Sequence, residues 1–421
     1  MKNNSWIKKY KESIELVENS TDVLTGFNAN IDCVHKVSEL DINLEGAEPK
    51  FKDTASSLSN LRSCLAYCIQ EGENHEIKLD MDIDFEGEKF IGGQGGIMAN
   101  YLAKTGNGII FYTPFLSQEL ADKLEDKILY PVIEGEFRLK NVRDSSNTDR
   151  TKTNHIFEFD QEKSGRLIVS DNLKGFGPYF RKGIEDKLGV IQDNIDCALL
   201  SGFHNVEGNK EAKLKKAALQ LAKIEVPLHL EYAHKDDETA SNILKHIAPE
   251  VDSLGMDETE FKKMVRLLYD EELEEDVSLG EAFHHSKEIV EDLEVSRLHL
   301  HTYRYHITIT GKSYPRKPEK IRKSMLYGEI SAIQKAETGI IPDLTDIEDF
   351  NMENKELNGL RELEHFEDFF ELDSFSETGI ARLDEHQVVA IPTIIHQKPE
   401  RTVGMGDIIS SGAFVSEING D

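Results

Sequence analysis

The chain has 421 residues, 38% of them hydrophobic and 30% charged, which is length enough for two or three structural units with a substantial core. Its 79 acidic against 49 basic residues leave a formal charge of -30, which argues against nonspecific binding to nucleic acid or to anionic membranes. No run approaches the roughly 18 consecutive apolar residues of a membrane-spanning helix, and no apolar leader opens the chain, so a cytoplasmic enzyme is the default expectation.

Trp6, Tyr10, Ile14 and Val17 recur three or four apart, the spacing of an amphipathic helix. A short apolar strand at Val23 and Leu24 then runs into Asn28, Asn30 and Asp32. On an extended chain these three project to one side, which suits hydrogen bonding to several sugar hydroxyls; an Asx-rich turn accounts for them equally well. Cys33, Cys64, Cys68 and Cys197 are too few and too irregular for a disulfide framework or a paired CxxC zinc site, and buried thiols are expected.

From Ile91 to Asn100 a glycine cluster, Gly92, Gly93, Gly95 and Gly96 around Gln94, opens onto a helical run. Such density lets a polyhydroxylated ligand or a phosphate approach the backbone, with Gln94 offering both a donor and an acceptor. Alternation at 155–159 and 166–170 reads as strand, and the stretches from Gly26 to about Phe51 and from about Val132 to Asp171 suggest a smaller β-rich unit.

Farther on, 196–200, 226–230, 251–254 and 299–302 read as short buried strands ending in polar residues or glycine, with helices over 210–223 and 257–269 between them. This is the pattern of an open, mostly parallel α/β sheet, whose ligands bind beyond the carboxyl ends of the strands. His229-Leu230-Glu231 and Asp257-Glu258-Thr259-Glu260 stand at two such ends, where carboxylates could hold Mg²⁺, although surface carboxylates are common in so acidic a chain. Acidic runs at 269–276 and 345–373 and a basic one at 312–323 read as exposed faces or loops.

Near the end, Val403-Gly404-Met405-Gly406-Asp407 precedes an amphipathic segment, 408–418. Glycines at a helix start let backbone N–H groups face an anion, and Asp407 beside them could take a hydroxyl proton, the pairing that phosphoryl transfer to an alcohol requires. A plain N-cap or turn explains the same letters.

In this order, the NANID element at 28–32, GGQGGIMAN at 92–100, IFEF at 156–159, SGFHNV at 201–206, HLE at 229–231, the LGMDETE segment, HTYRYHI at 301–307 and GMGD resemble the archaeal ADP-dependent glucokinase and phosphofructokinase family of the ribokinase superfamily. The resemblance covers nearly the whole chain. It implies a ribokinase-like α/β fold: a Rossmann-like large domain over 1–27, 52–86, 101–131 and 172–421, and a discontinuous lid over 28–51, 87–100 and 132–171. It further implies Asp407 as catalytic base, Gly404, Met405 and Gly406 as the anion hole, and Asn30, Asp32, Gly93 and Gln94 as sugar contacts. Glu231 and Glu260 match the metal motifs for Mg²⁺, with Asp257 where the family usually has Asn.

The expected ligands are ADP, as phosphoryl donor, and a hexose or hexose phosphate. Lys152, before IFEF, resembles the lysine that binds the phosphate of fructose 6-phosphate, and Arg181 is a second candidate. Glucose use is associated in the family with a lid glutamate, for which both Glu71 and Glu76 qualify. The expected reaction yields fructose 1,6-bisphosphate and AMP. Open alternatives are a glucokinase, an ATP-dependent ribokinase-like carbohydrate kinase and a non-catalytic sensor on the same fold, while the lack of a GxxxxGK[ST] element argues against a P-loop kinase.

Overall fold

Strands such as Cys197–Leu200 (Cys-Ala-Leu-Leu) and Arg297–His301 are buried along their whole length, as strands covered by helices on both faces must be. The computed structural model describes residues 2–14, 20–72, 74–160, 163–171, 173–353, 355–396 and 399–419. Val17 of the expected N-terminal helix lies outside them. The helix itself is present as Lys2–Ser13, with Trp6 and Tyr10 fully buried and Trp6 Nε1 donating to the Ser376 carbonyl at 2.9 Å.

Among the described residues there are two sheets, one of twelve strands and one of six. The large sheet has a parallel centre in the order Leu129–Glu134, Gly108–Tyr112, Asp22–Gly26, Cys197–Leu200, Leu228–Glu231, Ser253–Asp257, Arg297–His301. Antiparallel strands flank it, including Glu136–Asn141 on one side and Tyr305–Thr310 and His386–Ile394 on the other. Chain order reverses at Asp22–Gly26, so a crevice opens beyond the carboxyl ends at that point. The C-terminal helix Met405–Ile418 is buried almost all round because the helices Pro318–Thr338 and Gln94–Lys104 pack against it.

The small sheet runs Thr54–Ala55, His75–Leu79, Ser164–Ser170, Thr153–Asp160, Asn30–Lys36, Glu88–Gly92. One face carries Phe157, Leu167 and Val169 against Leu61, Cys64, Leu65 and Cys68 of the helix Leu58–Glu71, a second core. The opposite face carries Asp32 and Ile156, which line a cavity together with Lys335 and Val403 of the large part. All four cysteines are free and buried.

Three stretches sit differently from the division expected of the sequence: residues 94–100, expected in the lid, begin the helix Gln94–Lys104, which packs on Asp22–Gly26, Gly108–Tyr112 and the C-terminal helix because its apolar side chains join the large core. Residues 54–79 join the small sheet, because the apolar stripe of the helix Leu58–Glu71 covers its face; the stripe alone does not say which sheet it will cover. Conversely, Leu129–Glu134 and Glu136–Asn141 form a hairpin on the large sheet, since strand alternation reads the same in either sheet.

Candidate active site

The C-terminal helix starts at Gly404, whose φ of +78° favours glycine, and no side chain caps it. Met405 N already donates to the Thr402 carbonyl at 3.2 Å, and the other backbone donors of the first turn are left to a ligand. Gly406 is needed for a different reason: a Cβ there would lie 2.6 Å from the His301 ring. Alanine is the better helix former by roughly 1 kcal/mol, so this glycine serves close approach rather than the helix. Gly406→Ala is expected to lower turnover by up to about 10²-fold with little change in Tm, checked by steady-state kinetics beside thermal melting.

Asp407 lies in that first turn and is only 9% exposed. Burial pushes its carboxyl up to about 7, and the Glu231 charge adds to this, while His301 and Lys335 oppose it. Those neighbours come from the strand ends: Glu231, Asp257 and His301 close adjacent parallel strands, in register Glu231↔Gly255 and Asp257↔His301. Glu231 is 3% exposed and is met by His229 Nε2 at 3.3 Å and His301 Nε2 at 3.4 Å. Burial would raise its pKa, but these two imidazoles outweigh burial and hold it well below the usual carboxylate range. For His301, burial disfavours the charge, yet the bond to Glu231 wins and raises its pKa.

Asp257 and Glu260 make a capping box at the start of the helix Glu258–Tyr269. Glu260 N donates to Asp257 Oδ1 at 2.8 Å, and Asp257 N donates to Glu260 Oε2 at 3.0 Å. An aspartate serves this cap as well as asparagine, since only its oxygen accepts. Burial, followed by the charges of Asp257, Glu231 and Asp407, raises the pKa of Glu260.

On the small sheet, Asn30 and Asp32 share one face, and Asn30 Nδ2 donates to Asp32 Oδ1 at 2.6 Å. Burial raises Asp32 to about 6, against the lowering effects of Asn30, Lys152 and Arg401. Asn28, by contrast, precedes the strand, and the glycine cluster packs on this segment: a Cβ at Gly93 (φ +75°) would meet the Asn28 carbonyl and Asn30 Oδ1 at 2.9 Å each. Much of the glycine density thus serves approach to the protein's own chain. Gln94 keeps its expected role in view, because its Oε1 is shielded from solvent without a partner among the described residues.

Lys152 is buried just ahead of the strand Thr153–Asp160, and its carbonyl accepts from Ile31 N at 2.9 Å. Burial lowers its pKa, with Glu76, Lys235, Asp32 and Asp171 as the charges that bear on it. That brings Glu76 to the site. Glu71, in contrast, ends the helix Leu58–Glu71, where its carbonyl accepts from Lys163. Arg181 keeps other company: its guanidinium stands 4.0 Å from Asp149 and 5.3 Å from the Phe115 ring, with half of the side chain exposed.

Three residues were not singled out in the sequence. Asn154 is the register partner of Asp32, hydrogen-bonds it, and leaves its own Oδ1 without a partner among the described residues. Even-number parity with Asp32 across paired strands would have found it, had the pairing been known. Lys335, 3% exposed near the end of the helix Pro318–Thr338, donates to the Val403 carbonyl, one residue before Gly404. Burial lowers it to about 8, with Arg401 adding and Asp407 opposing. Arg401 lies over the Phe90 ring, 3.4 Å from its centroid, joining the large part to the small sheet. These last two line a cavity of about 260 Å³ together with Asp32, Lys89, Lys104 and Lys123. Glu125 lines it too, 3.9 Å from Lys104, and Lys89 pairs with Glu119 at 2.7 Å, yet the lining cations outnumber the carboxylates in a chain of net charge -30, which suits an anionic ligand.

A profile described as the ADP-specific phosphofructokinase/glucokinase conserved region matches residues 21–416. An ADP-specific phosphofructokinase of Pyrococcus abyssi is 28% identical over 96% of this chain and 98% of its own. An ADP-dependent glucose/glucosamine kinase of Pyrococcus furiosus is 27% identical over 99% of both. Among solved structures, an ADP-dependent kinase in complex with fructose 6-phosphate and ADPβS superimposes with a TM-score of 0.84 at 25% identity, covering 99% of this chain and 97% of that one.

Proposed function

The chain belongs to the ADP-specific phosphofructokinase/glucokinase family, and from that premise we propose that it transfers the β-phosphoryl group of Mg-ADP to fructose 6-phosphate, giving fructose 1,6-bisphosphate and AMP. Glucose is the second acceptor, as the glucose/glucosamine kinase relative suggests. The observation that carries the reading is Asp407, buried with a pKa raised to about 7, beside a helix start that no side chain caps and next to a cation-lined cavity.

In the proposed step Asp407 accepts the proton of the sugar hydroxyl, the hydroxyl oxygen bonds to the β-phosphorus, and the bond to the AMP oxygen breaks. The backbone N–H groups over Gly404, Met405 and Gly406 stabilise the negative charge on the transferred group, that of Met405 on exchanging the Thr402 carbonyl for it. Asn30 and Asp32 from the small sheet, and Gly93 and Gln94 at the start of the helix Gln94–Lys104, orient the sugar, while the small sheet acts as the lid and excludes water as a competing acceptor. The mutual repulsion of Glu231, Glu260 and Asp407 fits a bound divalent cation, with Glu231 and Glu260 as the residues that would hold it. When bound, Mg²⁺ supplies charge neutralisation of the diphosphate.

Lys152 is the proposed contact for the acceptor's phosphate, with Lys235 adding to the positive charge there. Arg181 is kept as a further contact on the strength of its long and half-exposed pairing, which holds it weakly. Glu76, beside Lys152, is the better placed of the two glutamates for glucose. Lys152→Ala is expected to raise KM for fructose 6-phosphate about tenfold or more and to leave KM for glucose much less affected. Equal effects on both acceptors would remove the assignment. The reading as a whole is tested by following AMP release from ADP, and ADP release from ATP, with each sugar. Turnover with ATP alone would defeat it, and a preference for glucose would shift it toward the glucokinase alternative.

A further inference from the structure

Every strand of the small sheet has a second face, and the face of Asn30–Lys36 opposite Asn30 and Asp32 carries Cys33 and His35. The paired strand Thr153–Asp160 places His155 directly beside Cys33 in parallel register. One ligand atom from each of Cys33, His35 and His155, a sulfur and two ring nitrogens, lies within 4.8 Å of the other two. Two residues spaced i, i+2 on one strand with a third from its neighbour converge on one point of a pleated face without any loop.

We propose that Cys33, His35 and His155 form a binding site for a zinc-class divalent metal ion, held by one thiolate and two imidazoles with a fourth position open. This donor set suits borderline-soft ions rather than Mg²⁺, so the site is chemically distinct from the carboxylates at the strand ends.

The surroundings orient the ligands. His35 Nδ1 lies 3.1 Å from the Glu86 carbonyl, which can only accept, so the proton sits on Nδ1 and the lone pair of Nε2 points inward. The ring is held between Phe157, at a centroid distance of 4.8 Å, and the edge of Phe85. His35 Nε2 meets His155 Nδ1 at 2.9 Å with the two rings within 9° of parallel, so His155 donates its Nδ1 proton there in the free protein. Burial keeps both imidazoles neutral and the Cys33 thiol protonated.

Binding then balances simply: the Cys33 proton is released to solvent, the His155 proton moves from Nδ1 to Nε2, and the rings turn their lone pairs onto the ion. Affinity should therefore rise with pH, while the ammonium of Lys89, which faces Cys33 and His155 and is paired with Glu119, opposes the ion. The ion would tie the strand that carries Asn30 and Asp32 to the one that carries Asn154, without entering the sugar face.

The test uses the full chain, reduced, stripped with chelator and free of nucleotide and sugar, so its outcome is independent of the kinase reading. Titration with Co²⁺ alone should give one equivalent bound with a thiolate-to-metal absorption band, which Zn²⁺ displaces. Cys33→Ser should abolish the band, and His155→Gln, at the more exposed ligand, should weaken binding at least about tenfold. At the same concentration Zn²⁺ should raise the Tm of the wild type more than that of His155→Gln. Absence of the band in the wild-type protein, its persistence in Cys33→Ser, or binding that is lost instead in His284→Ala, at the surface cluster His284, His285 and Glu288, would overturn the proposal.

Discussion

Asp407→Asn is expected to lower kcat by roughly 10²- to 10⁴-fold while leaving KM for sugar and nucleotide within a few-fold of wild type. The substitution keeps the shape of the side chain in the first turn and removes only its ability to take a proton. The residue is 9% exposed, and burial together with the Glu231 charge brings it to about 7, near neutral pH, where a base working at that pH is most effective. The sign of the pH dependence follows: below about 7 the carboxyl carries its proton and cannot accept another. kcat should therefore fall toward tenfold per unit on the acid side, and that limb should vanish in Asp407→Asn. Near-wild-type turnover in the variant would end the assignment of Asp407 as base.

Lys335→Met should reduce kcat at pH 7 by on the order of tenfold and move the acid limb of the profile upward. Its ammonium lowers the pKa of Asp407, so removing it leaves Asp407 protonated to higher pH. It also donates to the Val403 carbonyl, which steadies the chain just before the Gly404 turn. The two contributions separate experimentally. Lys335→Arg should restore most of the profile, because it keeps the charge, whereas loss of turnover in Lys335→Met with an unshifted limb would leave only the loop contact.

The strand ends, the glycine cluster and the GMGD segment were legible because each is a contiguous run whose chemistry needs no knowledge of pairing. Asn154, Lys335 and Arg401 were not. Asn154 matters through its register with Asp32, Lys335 through the packing of one helix against another, and Arg401 through the ring of Phe90 on the other sheet. In the sequence Lys335 resembles any lysine at the end of an amphipathic helix. Asp257 shows the reverse case: its departure from the family's asparagine looks consequential in the sequence, and the capping box with Glu260 makes it neutral for the helix.

Local chemistry belongs to the sequence: periodicity set the α/β class, glycine spacing marked where backbone must come close, and the ordered motifs identified the family. The sequence also indicated Asp407 as the residue most suited to accept a proton beside a helix start. Only the tertiary structure decided that this carboxyl is buried among Glu231, His301 and Lys335, and hence where it titrates, because a pKa depends on desolvation and on charges contributed by distant segments. It likewise decided that residues 54–79 cover the small sheet and that the hairpin of 129–141 extends the large one. An apolar stripe or an alternating strand states that it will be covered, while the choice of partner is made by the global packing of the chain.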